Sequence, residues 1–163
     1  MPTTHTIISY KYNELGPTAQ EVARDWYRQG ALDYDWWDSV YDDAERIGLK
    51  ITGFDLGRRQ ECSGRFETSA RGVAQAIVKE HGEGTDTRKL AEAFLSETTE
   101  DADTYGEDVE AFHRDLLRCY WSILDREADY LTSDECIAEN IEANEYDFDV
   151  NGNRFVCHNT SCT

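Results

Sequence analysis

The residues with the most evident chemistry in this chain lie between positions 147 and 162. Asp147-Phe148-Asp149-Val150-Asn151-Gly152 places oxygen-bearing side chains at alternate positions ahead of a glycine. That is the first half of a calcium loop, D-x-[DN]-x-[DN]-G, and Asp147, Asp149 and Asn151 are its candidate ligands. The second half is absent, because His158 stands where a bidentate Glu closes such a loop. The same residues also read as a hairpin turning at Asn151-Gly152. Asp101-Ala102-Asp103-Thr104-Tyr105-Gly106 is a less complete copy, with Tyr105 at a ligand position and Phe112 at the closing one. Cys157, His158 and Cys162 are zinc-competent, but a structural zinc takes four ligands, and the other cysteines form no C-x₂-C pair.

Nucleophilic chemistry would need a thiol or hydroxyl beside a base. Cys62 with His113, or Cys119 with His113, are the pairs considered, and the second pair is six residues apart on one helix and so on different faces. No nucleophile elbow, P-loop or dinucleotide fingerprint occurs. The residues therefore point to a protein that is not an enzyme and uses no cofactor.

Charge is the stronger signal. The chain carries 34 acids and 16 bases, for a net charge of −18. Such a balance opposes direct binding to nucleic acid or to an anionic membrane, both of which call for Lys and Arg. It suits basic protein partners or metal cations; an acid-rich, lysine-poor surface adapted to salt is the blander alternative. Residues 91–149 hold 19 acids against three bases, a net of −16, whereas residues 1–90 hold 15 acids and 12 bases. Glu110 with Arg114 and Asp115 with Arg118 are spaced for helical ion pairs. Glu135, Glu139 and Glu142 have no such partner, and Glu145, Asp147 and Asp149 continue the negative run. Carboxylates on successive helical turns stand ~5–6 Å apart, against one DNA charge per ~1.7 Å of axis. A folded acidic face can thus stand in for a phosphate array, so these six residues are the candidate partner-binding surface. No apolar run reaches the ~18 residues of a membrane span, and the first residues carry no signal-peptide pattern. Five cysteines without framework spacing fit free thiols in a reducing cytoplasm.

The elements that must carry these residues are mostly helical. Thr4–Tyr12 is rich in β-branched and aromatic residues and predicts a strand. Pro17 opens a helix to about Gln29 with Val22, Ala23 and Trp26 on one face, and a second helix starts near Asp35 and ends at a left-handed Gly48. Leu49–Leu56 and Glu61–Glu67 predict an antiparallel hairpin around Gly57–Gln60. Further helices are expected over about 70–81, 86–97 and 105–129. The last should bury Phe112, Leu116, Leu117, Tyr120, Ile123 and Leu124, together with Trp26 and Trp37. Thr132-Ser133-Asp134-Glu135 is a capping box with Thr132 as the cap, opening a helix to about Ala143. A closing hairpin at Asn151-Gly152 completes one α+β domain over residues 1–163: an antiparallel sheet of hairpins packed on several helices.

Ile8-Ser9-Tyr10-Lys11-Tyr12-Asn13-Glu14-Leu15, Ala23-Arg24-Asp25-Trp26-Tyr27-Arg28, Asp35-Trp36-Trp37-Asp38, Tyr130-Leu131-Thr132-Ser133-Asp134-Glu135 and Ile141-Glu142-Ala143-Asn144-Glu145-Tyr146 resemble an uncharacterised family of acidic phage and prophage accessory proteins. Members of that family usually carry a longer hairpin, rich in Trp and Gly, where this chain has Gly57 to Gly64. The resemblance implies a viral protein acting in the host cytoplasm and supplies no catalytic residues. By analogy of class it implies an inhibitor of host defence, of anti-CRISPR or antirestriction type, whose partner is a basic nucleic-acid-binding host protein. A small metal-binding or antitoxin-like accessory module is the alternative.

Overall fold

A computed structural model describes residues 1–99 and 106–155. In chain order its elements are a 3-10 turn at Tyr12–Glu14, α1 (Pro17–Arg28), α2 (Asp38–Arg46), β1 (Leu49–Asp55), β2 (Glu61–Phe66), α3 (Ala70–Glu80), α4 (Asp86–Glu97), α5 (Glu107–Leu131) and α6 (Asp134–Ala143). The class is α+β, as the sequence implies, with a long helix close to its expected place. The residues group into two compact units: Met1–Asp35 with Ala128–Thr163, and Trp36–Glu127.

The first unit is built on α1 and α6. Tyr12, Leu15, Ala19 and Ala23 join Ile137, Ile141 and Phe148 in one apolar cluster, with Trp26, Tyr27 and Tyr146 packed at its border. Small residues at 19 and 23 give α1 a thin face, which leaves room for other backbone to come close. Gly152 uses that room: a Cβ there would collide with the Ala19 carbonyl, and its φ of +86° is one that L side chains rarely adopt. Asn151-Gly152 therefore turns the chain as expected, but the hairpin around it is reduced to single bridges. Phe148 pairs antiparallel with Arg154 on one side and with Tyr10 on the other. The strand predicted over Thr4–Tyr12 does not form beyond Tyr10. Residues 4–9 are exposed, and β propensity without a partner edge to pair with does not make a strand.

In the second unit α2 packs on β1, α5 packs on β2, and α3 and α4 pack on each other. β1 and β2 pair antiparallel from Leu49–Phe66 to Asp55–Glu61, with an irregularity between Ile51 and Gly53. α2 ends as predicted at Gly48, which adopts φ +86°. Gly64 sits where any side chain would strike the Lys50 carbonyl at 2.7 Å and Leu117 at 3.1 Å, so the absent side chain lets α5 press onto β2. Leu116, Tyr120 and Leu124 are fully buried along α5, and Phe94 stacks on Phe112 at 4.6 Å between centroids.

Several expectations need correction. Ile123, Trp26 and Trp37 are half-buried, and it is Trp36 that is buried. Trp37 instead shares an edge-to-face aromatic group with Trp36 and Phe54. Val22 is exposed, because the buried stripe of α1 follows Ala19 and Ala23. α2 begins at Asp38 and not at Asp35. Ser133 caps α6, its hydroxyl accepting from the Cys136 amide at 3.3 Å. Thr132 instead donates back to the Ala128 carbonyl at 2.8 Å, finishing α5. Arg114 turns to Asp115 at 3.4 Å and not to Glu110.

Candidate functional site

Two groups of polar residues stand out, one in each unit. In the first, α6 divides sharply by face. Cys136, Ile137 and Ile141 are buried, while Glu135, Glu139 and Glu142, at i, i+4 and i+7, are exposed. Among the described residues no base pairs with these three. Their neighbour Asp134 is different, being bound by Arg28 and lying 3.6 Å from Arg24. Arg28 also donates to the Thr132 carbonyl at 3.1 Å and pairs with Asp25, so one guanidinium ties α1 to the α5–α6 junction.

Of the rest of the expected acidic surface, Glu145 keeps its side chain exposed, whereas Asp147 and Asp149 are engaged in holding a loop. Lys11 Nζ donates to the Glu145 carbonyl at 2.7 Å and pairs with Asp147 at 2.9 Å. The Asp149 carboxylate accepts the backbone amides of Asn151 at 2.9 Å and Asn153 at 3.0 Å. This is the side-chain turn that Asp favours, and it directs the carboxylate inward to its own loop. Arg154 lies over the Tyr146 ring at 4.7 Å and the Trp26 ring at 5.7 Å, a cation–π clamp on the same segment. The candidate calcium ligands Asp147 and Asp149 are thus spoken for by Lys11 and by amides. Among the described residues no group of three or more His, Cys, Asp or Glu is placed to hold a metal. The second calcium-like segment, through Tyr105, and the zinc candidates Cys157, His158 and Cys162 lie outside the described residues.

Folding also redistributes the charge. Residues 1–35 with 128–163 carry 13 acids and four bases, and residues 36–127 carry 21 acids and 12 bases, so each unit has a net charge of −9. The strong asymmetry along the sequence is not an asymmetry between units. What distinguishes α6 is the lack of compensating bases on its exposed face.

In the second unit α2, α3, α4 and α5 contribute to a cleft of about 590 Å³ whose lining includes Asp43, His81, Thr87 and Arg126. His81 closes α3, and Thr85 caps α4, its hydroxyl accepting from Arg88 N at 3.3 Å. This places Thr87 in the first turn of α4, where its hydroxyl lies 2.6 Å from His81 Nδ1. The His81 Nε2 is 3.2 Å from Asp43 Oδ2, within ion-pair range though off the line of a good hydrogen bond. The Tyr120 hydroxyl donates to the same Asp43 oxygen at 2.8 Å. Burial first, and then the Asp43 charge, push the Tyr120 phenol above its ordinary range, so it remains a donor. With a carboxylate facing Nε2, the imidazole proton belongs on that nitrogen, and Nδ1 accepts from Thr87. The Thr87 residue is 4 % exposed and the His81 side chain 10 %.

The thiol–imidazole pair considered from sequence comes together only in part. Cys62 and His113 line one pocket of about 310 Å³. His113 Nε2, however, lies 3.0 Å from the Gly64 carbonyl, which fixes its proton there. Burial pushes the Cys62 thiol up to about 11, which leaves it protonated and poorly nucleophilic. Burial also raises Cys119. Cys62, Cys119 and Cys136 are free thiols.

Sequence reasoning missed the His81 group. Its signal was local: a histidine six residues ahead of a threonine in the first turn of a capped helix. Asp43 and Tyr120 are distant in sequence, and only the packing of α2 and α5 brings them in. Comparison with protein-family models, with curated proteins and with solved structures gave no match.

Proposed function

We propose that this chain is a binding protein that presents the Glu135–Glu139–Glu142 face of α6 to a basic, nucleic-acid-binding partner in the cytoplasm. The observation that carries this reading is the uncompensated exposure of three carboxylates on a helix whose opposite face is fully buried. Ile137 and Ile141 have no exposed surface, so the helix cannot roll without uncovering its core, and the charges are held in fixed register. In the viral setting implied by the sequence resemblance, the partner is a host nuclease or surveillance complex and the outcome is inhibition of anti-CRISPR or antirestriction type. Complementary charge steers such encounters over a Debye length of ~10 Å at 0.1 M salt, so association weakens as salt rises.

The test is charge reversal at Glu135, Glu139 and Glu142 to Lys, with binding to purified basic nucleases and surveillance complexes measured at low and high salt. A suitable control reverses Glu97, Asp108 and Glu110, which are exposed, belong to the other unit and change net charge equally. Glu14 and Asp25 are unsuitable controls, because Glu14 accepts the Lys11 amide and Asp25 pairs with Arg28. Loss of binding in the first variant alone supports the reading. Equal loss in both reduces it to bulk charge, and unchanged binding in both refutes it.

A further inference from the structure

We propose that the cleft beside His81 is an acyl-transfer site, with the Thr87 hydroxyl as nucleophile, His81 as its general base, and a carboxylic ester as the class of substrate. The inference is independent of the α6 face and rests on four observations that agree. The first is the contact itself, Thr87 Oγ1 to His81 Nδ1 at 2.6 Å, the nucleophile–base distance that hydroxyl activation requires. The second is orientation: Asp43 Oδ2 stands 3.2 Å from the far ring nitrogen and is itself fixed by the Tyr120 hydroxyl at 2.8 Å. Asp43 acts on the ring by its charge at that range rather than through an aligned hydrogen bond, and Asp43 and Tyr120 are the positioning residues of the constellation. The third is the oxyanion site. Thr87 is the second residue of α4, a helix of twelve residues, and the helix uses neither the Asp86 nor the Thr87 amide internally. The described backbone bonds give those two amides no other acceptor, while Lys89 already donates to Thr85. Two amides without an acceptor among the described residues, one belonging to the nucleophile, are the kind of donors that an acyl intermediate needs. The fourth is space: these groups border one cleft of about 590 Å³, with Ile123 and Arg126 on its wall.

The chemistry balances without a metal or redox partner. Thr87 Oγ attacks the ester carbonyl carbon as its proton passes to His81 Nδ1. The carbonyl electron pair moves to oxygen, facing the Asp86 and Thr87 amides. Collapse expels the alcohol, which leaves with the proton from His81, and Thr87 remains acylated. A water then attacks the acyl carbon, its proton passes to His81 Nδ1, and the tetrahedral oxyanion forms again at the same amides. On collapse the acid departs and the Thr87 oxygen recovers its proton from His81.

The experiment incubates the full chain with p-nitrophenyl acetate, follows nitrophenol release, and maps acetylation by peptide mass spectrometry. Acetyl on the Thr87 peptide of the native protein is the expected result. Thr87→Ser should keep the label, and His81→Gln should slow it by about 100-fold, the low end for a general base. Asp43→Asn should lower the limiting rate while leaving the half-saturating probe concentration unchanged, which a merely structural role would not do. Circular dichroism establishes that each variant is folded, and the mapping of the native chain needs no variant. Acetylation confined to lysines or to other hydroxyls overturns the assignment, as does an equal rate of Thr87 labelling in folded His81→Gln.

Discussion

Asp43 and Glu139 are both carboxylates on helices, yet they occupy opposite regimes. Asp43 receives the Tyr120 hydroxyl and faces His81, so its position is fixed by two elements besides its own. Glu139 extends into solvent from α6 with no described partner. A charge in water interacts weakly with its neighbours and is screened by salt, so it can be exchanged at little cost to the fold. Asp43 keeps part of its carboxylate in solvent, but its partner Tyr120 is buried and the His81 side chain only 10 % exposed, and removing the carboxylate leaves them unsatisfied. The α6 face should therefore govern association and hardly touch stability, whereas the Asp43–His81–Thr87–Tyr120 group should do the reverse in any binding assay based on α6.

The largest expected effect probes the scaffold of the first unit. Gly152→Ala adds a Cβ onto the Ala19 carbonyl in a left-handed conformation. Backbone strain and overpacking together should cost roughly 2–6 kcal/mol in urea unfolding. A cost under about 1 kcal/mol would show that the loop relaxes away from α1. In the second unit, Leu116→Ala removes a fully buried side chain and should cost about 2–5 kcal/mol. Leu117 is at the edge of burial and should cost less, which a paired measurement would check.

These two residues also mark what was legible in the sequence. The α5 pattern is long and periodic, so its buried stripe could be read directly, and Gly48 could be read as a cap because a chain leaving a helix needs a positive φ there. Asn151-Gly152 was legible as a turn but not as a contact with Ala19, since nothing local encodes which helix a turn will meet. Thr4–Ser9 looked like a strand because propensity registers the residue and not the missing neighbour. On α6, the spacing of Glu135, Glu139 and Glu142 was enough to put them on one face. Asp147 and Asp149 looked like part of the same surface until Lys11 and the loop amides claimed them. Asp43, His81 and Tyr120 could not be grouped at all without the packing that joins them.

Smaller effects sharpen the contrast between the regions. Tyr120→Phe keeps the ring and removes the donor to Asp43, for a loss of about 1 kcal/mol. Alkaline titration should show a loss of stability to which the Cys62 thiol contributes alongside the buried phenols. Cys62 has a folded value near 11 against an ordinary 9.0, so its contribution is complete below pH 9 and is lost as pH rises from 9 through 11. Cys62→Ala should flatten that part of the stability profile measured by urea unfolding, and an unchanged slope would show that the thiol is not protected. Smallest of all, neutralising Glu135, Glu139 and Glu142 to Gln should alter stability by no more than about 0.5 kcal/mol each, even as it removes partner binding. A larger loss would mean that these carboxylates support the helix as well as the interface.

The first unit is assembled from Met1–Asp35 and Ala128–Thr163, with the whole of the second unit between them in sequence. On the ribosome the early residues emerge long before Ile137, Ile141 and Phe148, the partners that cover α1. The intervening stretch can complete its own core first, since its helices and hairpin lie close together in the chain and short-range contacts form fastest. Tyr12, Leu15 and the α1 face must remain uncovered until synthesis passes Phe148, which gives nascent-chain binding factors a defined window at the N-terminal segment. The acidic face of α6 thus acquires its final setting after the second unit, and a nascent chain that stops short of Ala143 would carry a folded middle with no complete α6 surface to offer.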